Sequence, residues 1–386
     1  MNFSEGSIAL MQNTGRLASG TINLTASQGL RFTGTTADGQ LQTGVHGQQL
    51  SDGPGGLVQL QAPTVELLDG STVNTKSFSA ARGSDIQVIA PDTLWVKGFS
   101  PIDTSNFSGI FTYTYTNGRA GDVTVSSGQL QALDSGSIGS ATLDLGDAGN
   151  VTVTATDSIV LSGQELKFGQ FSTIFDISVG SRTGSGNAGD VVVTTPRLLI
   201  QNGGRLGAST VSAGNAGSIT VNARDSVTVQ GTSPSKLQSQ ISAAGNVLPP
   251  ALQTLYNVAA TPSGNGGNLV INTAQLEVTD NALVTVRNLG SGDSGTLTIN
   301  ADRIALKNKG SIAATTQGGN GGELMVNARS SLLIRDGGSI STNARGNGNG
   351  GNIEINAPNI VGLNNSDITA EARRATAATL RSTPRR

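Results

Sequence analysis

Four aspartates are the first candidates for chemistry, because they recur at equivalent places in an internal repeat of the chain. They are Asp92, Asp157, Asp225 and Asp302. Hydrolysis of a glycosidic bond needs two carboxyl groups, about 5–5.5 Å apart for retention of configuration or about 6.5–9.5 Å apart for inversion. The aspartates occupy alternate repeats, so strand spacing would place neighbours about 9–10 Å apart. That separation is too wide for retention and marginal for inversion, and we expect each aspartate to cap its own backbone in a turn.

The single histidine and one glycine-rich segment are the other candidates for catalysis or metal binding. His46, in the segment TGVHGQQL, has no evident partner, and we expect it to be a solvated loop residue rather than a general base. The segment GSGNAGDVV, residues 184–192, is similar to nonapeptide repeats that bind Ca²⁺ between coils, but Asp190 stands one place late. The sequence therefore predicts no catalytic, cofactor-binding or metal-binding residue. The equivalent positions of other repeats carry Asn150, Ser218, Asn268, Thr296 and Glu323.

Asparagine recurs at one position in five successive repeats. If these repeats stack at about 4.8 Å, the side-chain amides can form a ladder of hydrogen bonds, as in cross-β assemblies. We expect such a ladder to stiffen the structure, and a glycan-binding stripe is the alternative. The five residues are Asn222, Asn272, Asn300, Asn327 and Asn356.

A five-residue sequence motif, which we call the phrase, occurs eleven times and positions all of these residues. Its first and third residues are apolar, its fifth is small, and its second and fourth can be of any type. The steps between phrases cluster near 28 residues, and longer steps of 36, 37, 40 and 50 residues indicate loops inserted into some repeats. A fixed period of this kind is typical of repeat architectures. The phrases begin at Ile22, Val58, Ile86, Val123, Val151, Val191, Ile219, Leu269, Leu297, Leu324 and Ile353.

Each phrase alternates in the manner of a strand with one buried face. A second apolar run follows seven or eight residues after each start, and a third often follows Gly-Ser. Turn-forming Gly, Asn, Asp and Ser lie between the runs. Three short strands and three turns per repeat predict an all-β fold, a right-handed parallel β-helix of about eleven coils. A single coil buries too little apolar surface to fold alone, so stability must be collective.

Composition argues against the competing folds and against several classes of function. A helical repeat conflicts with 53 glycines and with the lack of a helical apolar period, and a propeller conflicts with 3% aromatic content. The net charge of −2 offers no basic stripe, so we expect no nucleic-acid partner. Cysteine is absent, no apolar run is long enough for a transmembrane segment, and no signal peptide is visible.

Residues 1–370 are predicted to form the β-helix domain, with insertions near 34–52, 98–118, 164–185 and 231–262. The insertions hold much of the aromatic content, and they either contact a partner or cover the coils. A short helix is predicted to begin at Pro250. Part of 164–185, such as Ile177 to Val179, reads as a third strand.

The last residues, 371–386, break the repeat and are predicted to be an irregular or disordered tail. A new phrase is due near position 381. Permitted codons for residues 377–386, read from the third base, spell GNIEINTPR, which resembles GNIEINAP at residues 351–358. A shifted reading frame is therefore one hypothesis for this tail, and the arginines in it would then be accidental.

Residues 186–231, GNAGDVVVTTPRLLIQNGGRLGASTVSAGNAGSITVNARDSVTVQG, resemble the filamentous haemagglutinin-type exoproteins of two-partner secretion, especially their cyanobacterial members. The resemblance implies a long β-helical fibre exported through an outer-membrane transporter barrel, and many such proteins act in cell adhesion. The family's amino-terminal secretion domain is not visible here, so the resemblance implies a piece of a larger exoprotein. No functional residues of the family carry over.

We therefore expect a structural, adhesive rod at the cell surface or outside the cell, associated with the outer membrane, whose partner is a glycan or another cell-surface ligand. We expect it not to be an enzyme. The alternatives are a β-helical carbohydrate-active enzyme of polysaccharide lyase or hydrolase type, and a non-functional fragment. Clustered carboxylates on adjacent coils would favour the enzyme.

Overall fold

The chain folds into two parallel β-sheets. The computed structural model describes residues 1–163, 172–181, 184–346, 348–372 and 380–382. Within that part, the first sheet has 16 strands and the second has 12. The strands of the first sheet are β1 (Asn2–Ser4), β3 (Thr21–Thr25), β4 (Gly29–Thr33), β6 (Leu57–Gln61), β7 (Thr64–Leu68), β9 (Asp85–Lys97), β11 (Val123–Leu133), β13 (Val151–Ser162), β15 (Val191–Gln201), β17 (Ile219–Gln230), β19 (Leu269–Thr279), β21 (Leu297–Lys307), β23 (Leu324–Arg335), β25 (Ile353–Asn356), β26 (Ile360–Leu363) and β28 (Leu380–Ser382).

The second sheet receives one strand from each coil. Its hydrogen-bonding order follows chain order throughout the described residues, which is the topology of a parallel β-helix. The strands are β2 (Ile8–Asn13), β5 (Gly44–Gln49), β8 (Thr72–Ser77), β10 (Gly109–Thr114), β12 (Ser137–Thr142), β14 (Thr173–Ser178), β16 (Arg205–Thr210), β18 (Gln240–Gly245), β20 (Leu283–Asn288), β22 (Ser311–Thr316), β24 (Ser339–Ala344) and β27 (Asp367–Ala372).

The repeated phrases stack in register, as the sequence predicts. Val151 pairs with Val123 on one side and with Val191 on the other, and Val191 pairs with Ile219. The same column runs from Ile22 to Ile353 without a slip, despite the longer steps. Inserted residues therefore leave the register intact, because they enter only between strands.

Most coils contain two strands rather than the three predicted. In β9 to β23 of the first sheet, the first and second apolar runs form one strand of 11 to 13 residues, with a shift of register near its middle in most pairs. We call the residues at this shift the strand bend; in β13 they are Thr156 and Asp157. A bulge of this kind bends a strand without ending it, so the predicted first turn is wrong for these coils.

Apolar side chains of both sheets fill the space between them. From β11 to β23, the first, third and fifth residues of each long strand are buried, as in β17, where Ile219 and Val221 have no exposed surface. The second sheet adds Ile241, Val284 and Ile312, which pair along one column. Each coil completes the core only by contact with the coils above and below.

The connection from the second sheet back to the first is a turn built on glycine, which we call the glycine turn. In seven successive coils, a Cβ atom added to its last glycine would overlap the carbonyl oxygen of the equivalent glycine in the preceding coil. Only glycine allows two backbones to approach so closely. The seven are Gly149, Gly189, Gly217, Gly267, Gly295, Gly322 and Gly351.

Side chains in the glycine turns also bind the next coil directly. The Oδ1 atom of Asn187 accepts a hydrogen bond from the backbone N–H of Asn215 at 3.0 Å, and Asn215 does the same for Asn265 at 2.9 Å. The column continues through Asp293 and Asn320 to the N–H of Asn349. These bonds satisfy N–H groups that the turn would otherwise leave unpaired.

The predicted insertions are too wide, because each one contains the second-sheet strand of its coil. The strands β5, β10, β14 and β18 lie inside the four predicted ranges, and Ile177 belongs to β14. The extra residues of the first, second and fourth ranges form loops before the strand, at 34–43, 98–108 and 231–239. Residues 164–171 of the remaining range lie outside the described residues. The fourth range also contains the short helix predicted from the sequence, α1 (Pro250–Leu255).

Two of these loops pack on each other across the intervening coil. The Nδ2 atom of Asn106 donates to the carbonyl oxygen of Gly39 at 2.7 Å, and the hydroxyls of Thr35 and Ser100 lie 3.1 Å apart. These two loops occupy the same turn of alternate coils, because only β8 lies between the strands β5 and β10 that follow them.

The tail predicted to be irregular contains some strand. Ile353 of β25 pairs with Leu380 of β28, so a strand occurs where the period requires the next phrase. β27 also extends through Ala372. The prediction of an irregular tail is therefore wrong for these residues, and the other tail residues, 373–379 and 383–386, lie outside the described part of the chain.

The glycine turns give a direct test of the stacking. Gly217→Ala should lower the free energy of unfolding by about 1–3 kcal/mol or more, because its methyl group would overlap the oxygen of Gly189. Gly207→Ala is the matched control, since its nearest atom is 3.8 Å from the added Cβ and the residue lies in a strand. Urea denaturation of both variants measures the difference. Equal stability of the two variants would contradict the close approach of successive turns.

Candidate functional site

A long groove on the first sheet is a prominent concave feature of the described surface. It has a volume of about 1040 Å³ and crosses six successive strands, from Ala155 in β13 to Arg329 in β23. We call it the Asn groove. At about 4.8 Å per strand, it runs roughly 24 Å along the stack. A smaller cavity of about 280 Å³ adjoins it and shares Ala274, Asp302 and Arg329 with it.

One wall of the Asn groove is the predicted asparagine ladder, which the structure confirms. Nδ2 of Asn272 donates to Oδ1 of Asn222 at 2.8 Å, and Nδ2 of Asn300 donates to Oδ1 of Asn272 at 2.9 Å. Asn327 and Asn356 extend the ladder with bonds of 3.0 Å each. Each interior amide uses one N–H and one oxygen lone pair in the ladder, so one N–H and one lone pair remain to face solvent.

The floor of the Asn groove is made by the small residue that closes each phrase. Ala223, Thr273 and Ala301 stand at this position and are at most 7% exposed. A larger side chain there would fill the space between the ladder and the strand bend. The sequence signal for the groove is therefore the pair of asparagine and small residue, repeated over several coils.

The other rim of the Asn groove carries charged side chains at the strand bends. Arg329 Nε binds Asp302 Oδ1 across neighbouring coils, and Arg224 Nε binds Asp225 Oδ1 at 2.8 Å. Outside the lining, Arg197 binds Asp157 in the same manner. The predicted capping of their own backbone by Asp157, Asp225 and Asp302 is therefore wrong, because their carboxylates bind arginines instead.

The four aspartates do occupy alternate coils, as predicted. Asp92, Asp157, Asp225 and Asp302 lie at the strand bends of β9, β13, β17 and β21, and one strand separates each pair of neighbours. They form a row along the rod rather than a facing pair. The Asp302 carboxylate lines the groove and its nearest charged partner is a cation.

His46 is a strand residue, and its prediction as a solvated loop residue is wrong. It lies in β5 and is half-buried. Its Nε2 lies 3.1 Å from the carbonyl oxygen of Gln42 and therefore donates to it, while Nδ1 lies 3.1 Å from Nδ2 of Asn74 and accepts from it. Burial, with a further effect of the positive charge of Lys76, lowers the pKa of His46 below its usual range.

The segment similar to a calcium repeat instead connects two coils. Oδ1 of Asp190 accepts the backbone N–H of Ser218 at 2.8 Å, and the N–H of Asp190 donates to Oδ1 of Asn150 at 3.1 Å. Asp190 thus belongs to a column of turn residues. Its carboxylate accepts a backbone N–H of the next coil, as the side-chain oxygen of Asn150 does for Asp190. Among the described residues, no three acidic or histidine side chains converge as a metal site would require.

One buried acid escaped the sequence analysis. Asp176 of β14 points into the core with no exposed surface, and its Oδ1 accepts the N–H of Gly189 at 2.7 Å. Burial raises the pKa of Asp176 well above its usual range, so the neutral form is favoured. At the same register, Ser140 and Thr112 also bind the glycine turn of their own coil. Asp176 therefore has a structural role: its carboxyl group binds the glycine turn, as the hydroxyl groups of Ser140 and Thr112 do in their coils.

Comparison with known proteins returns nothing: no protein family, curated protein or solved structure matches this chain. The described residues contain no helix of the length and apolarity that would cross a bilayer. The groove and the fold must therefore be interpreted from their own chemistry.

The asparagine ladder should be measurable as a coupling energy. In a double-mutant cycle of Asn272→Ala and Asn300→Ala, we expect a coupling of about 0.5–1.5 kcal/mol, because each single change already removes their shared hydrogen bond. The control cycle joins Asn272→Ala with Asn356→Ala, which lie three strands apart and should act additively. Chemical denaturation gives all the values. Additive effects in the first cycle would rule out an energetically coupled ladder.

The lowered pKa of His46 predicts a specific dependence of stability on pH. The folded state favours neutral imidazole, so this contribution is fully present above the unfolded pKa of about 6.5 and is lost as pH falls through the folded pKa. Stability should therefore fall less in His46→Gln than in the unaltered protein when pH drops from about 8 to about 5.5. Thermal unfolding at both values measures this. An identical loss in the two proteins would show that His46 does not contribute.

Proposed function

We propose that this chain is a structural and adhesive rod, part of a large secreted or surface-exposed bacterial exoprotein similar to the filamentous haemagglutinins. The observation that carries the proposal is the unbroken register of eleven phrases, from Ile22 to Ile353. A stack of that kind spans roughly 50 Å at about 4.8 Å per coil. Such a scaffold holds repeated surface groups at fixed spacing and at a distance from the cell.

The distribution of polar contacts supports a rod more than a catalyst. Most of the Asn and Asp side chains singled out by the sequence bind a partner on the next coil, as the Asn222–Asn272 and Asp302–Arg329 pairs do. Such contacts stiffen the stack along its axis. We propose a location outside the cell, reached through a partner transporter barrel in the outer membrane, as in the family that residues 186–231 resemble.

A carbohydrate-active enzyme is the second candidate, because the Asn groove is long enough for several sugar residues and contains Asp302. Against it, the groove pairs that carboxylate with Arg329 instead of a second acid. Release of new reducing ends or of unsaturated sugars from polysaccharides would favour this candidate over the rod.

The adhesive role is testable with coated particles. Latex beads carrying the purified chain should bind bacterial or host cells more than beads carrying a β-helical rod of unrelated sequence, because adhesion would use surface groups specific to this chain. Flow cytometry counts the bead-bearing cells. Equal binding by both kinds of bead would contradict an adhesive role. Electron microscopy of the same preparation tests the rod separately, and a globular particle would contradict that part.

A further inference from the structure

We propose that the Asn groove binds a neutral polysaccharide chain lying along the axis of the rod. The inference rests on the proposed adhesive function and names the class of ligand that this function would use. It is carried by three features of the groove: the repeated amides, the balanced charges, and the open length across six strands.

The repeated amides give the groove its chemistry. The side chains of Asn272, Asn300 and Asn327 each use half of their hydrogen-bonding capacity within the ladder. The remaining N–H and oxygen lone pair form an adjacent donor and acceptor, which complement two neighbouring hydroxyl groups of a sugar. The ladder also fixes the rotamers of these side chains in advance, so little conformational entropy is lost on binding.

The charges of the groove favour a neutral ligand. Arg224 faces Asp225, and Arg329 faces Asp302, so each cation has an anion within salt-bridge distance. A sulfated or uronic acid polymer would have to compete with these carboxylates for the guanidinium groups. A neutral polyhydroxylated chain can accept from the same groups without separating either pair.

The open length predicts that affinity depends on the number of sugars. None of the described residues that line the groove is aromatic, so each sugar gains mainly hydrogen bonds, worth about 0.5–1.5 kcal/mol each. One sugar therefore binds too weakly to detect. A chain that spans several coils makes the same contact repeatedly, with later contacts being intramolecular.

The proposal is tested by affinity electrophoresis of the full chain in gels that contain a polysaccharide. The probes are mixed-linkage β-glucan and dextran as neutral polymers, heparin as an anionic polymer, and glucose as a competitor. We expect retardation by at least one neutral polymer, no retardation by heparin and no competition by glucose. Retardation by heparin alone, or by none of the polymers, overturns the proposal.

Variants locate the binding in the groove. The combination of Asn272→Thr, Asn300→Thr and Asn327→Thr should weaken the affinity for the neutral polymer about tenfold or more. Threonine is tolerated at this register, since Thr194 occupies it in β15. Asn343→Thr is the matched control, because Asn343 faces outward on β24 of the second sheet. Retained affinity in the triple variant, or equal losses in both variants, overturns the assignment.

A second variant leaves the ladder intact. Ala274→Arg should block the groove at the strand bend of β19 and weaken binding by a similar factor, while circular dichroism and the unfolding midpoint show that the fold is retained. Unchanged binding in this variant contradicts the groove as the site. Bead adhesion is measured in parallel: loss of both polysaccharide binding and adhesion supports the groove as the adhesive site, and loss of polysaccharide binding with adhesion retained contradicts it. Failure of adhesion in the unaltered chain counts against the proposed function alone. Shortening of the polymer during the assay overturns the binding role in favour of catalysis.

Discussion

Close backbone contact between successive glycine turns is the constraint on which the rest of the structure depends. Each glycine of the column from Gly149 to Gly351 lies against the carbonyl oxygen of the glycine one coil earlier. The contact allows the turns to stack at the spacing of about 4.8 Å that neighbouring strands require. Because the turns do not hold successive coils further apart, the parallel hydrogen bonds form in register and the apolar side chains form continuous columns. One larger side chain at such a point would disturb two coils.

The same repetition that builds the core also builds the Asn groove. Residues one and three of the phrase face the core, residue four forms a wall, and the small residue five leaves a hollow before the strand bend. The hollow is small in one coil, but six stacked coils join it into a groove about 24 Å long. The roles of side chains such as Asn300 and Asp302 are set by hydrogen-bond and salt-bridge partners that lie one coil away and are distant in sequence.

Inserted residues reveal where the rod tolerates change. The loops at 34–43, 98–108 and 231–239 enter at the same turn between the two sheets, and the segment that holds α1 enters between β18 and β19. None of them shifts the register of the phrases. Loop closure adds little free energy as a surface loop grows, whereas one residue added within a strand would turn its apolar face outward. Variation is therefore confined to turns.

The sequence by itself determined the repeat, its strand content, the stacking of phrases and the asparagine ladder, because a regular period with alternating polarity has few other folded solutions. Only the tertiary structure decided that the first turn is a bulge, that Asp157 and Asp302 bind arginines, that His46 is paired in a strand, and that Asp176 is buried. The reason is physical. Periodicity reports which face of a strand is buried, but side-chain partners lie on the next coil, from 27 to 50 residues away in sequence. Which residues meet there depends on the length of each intervening loop.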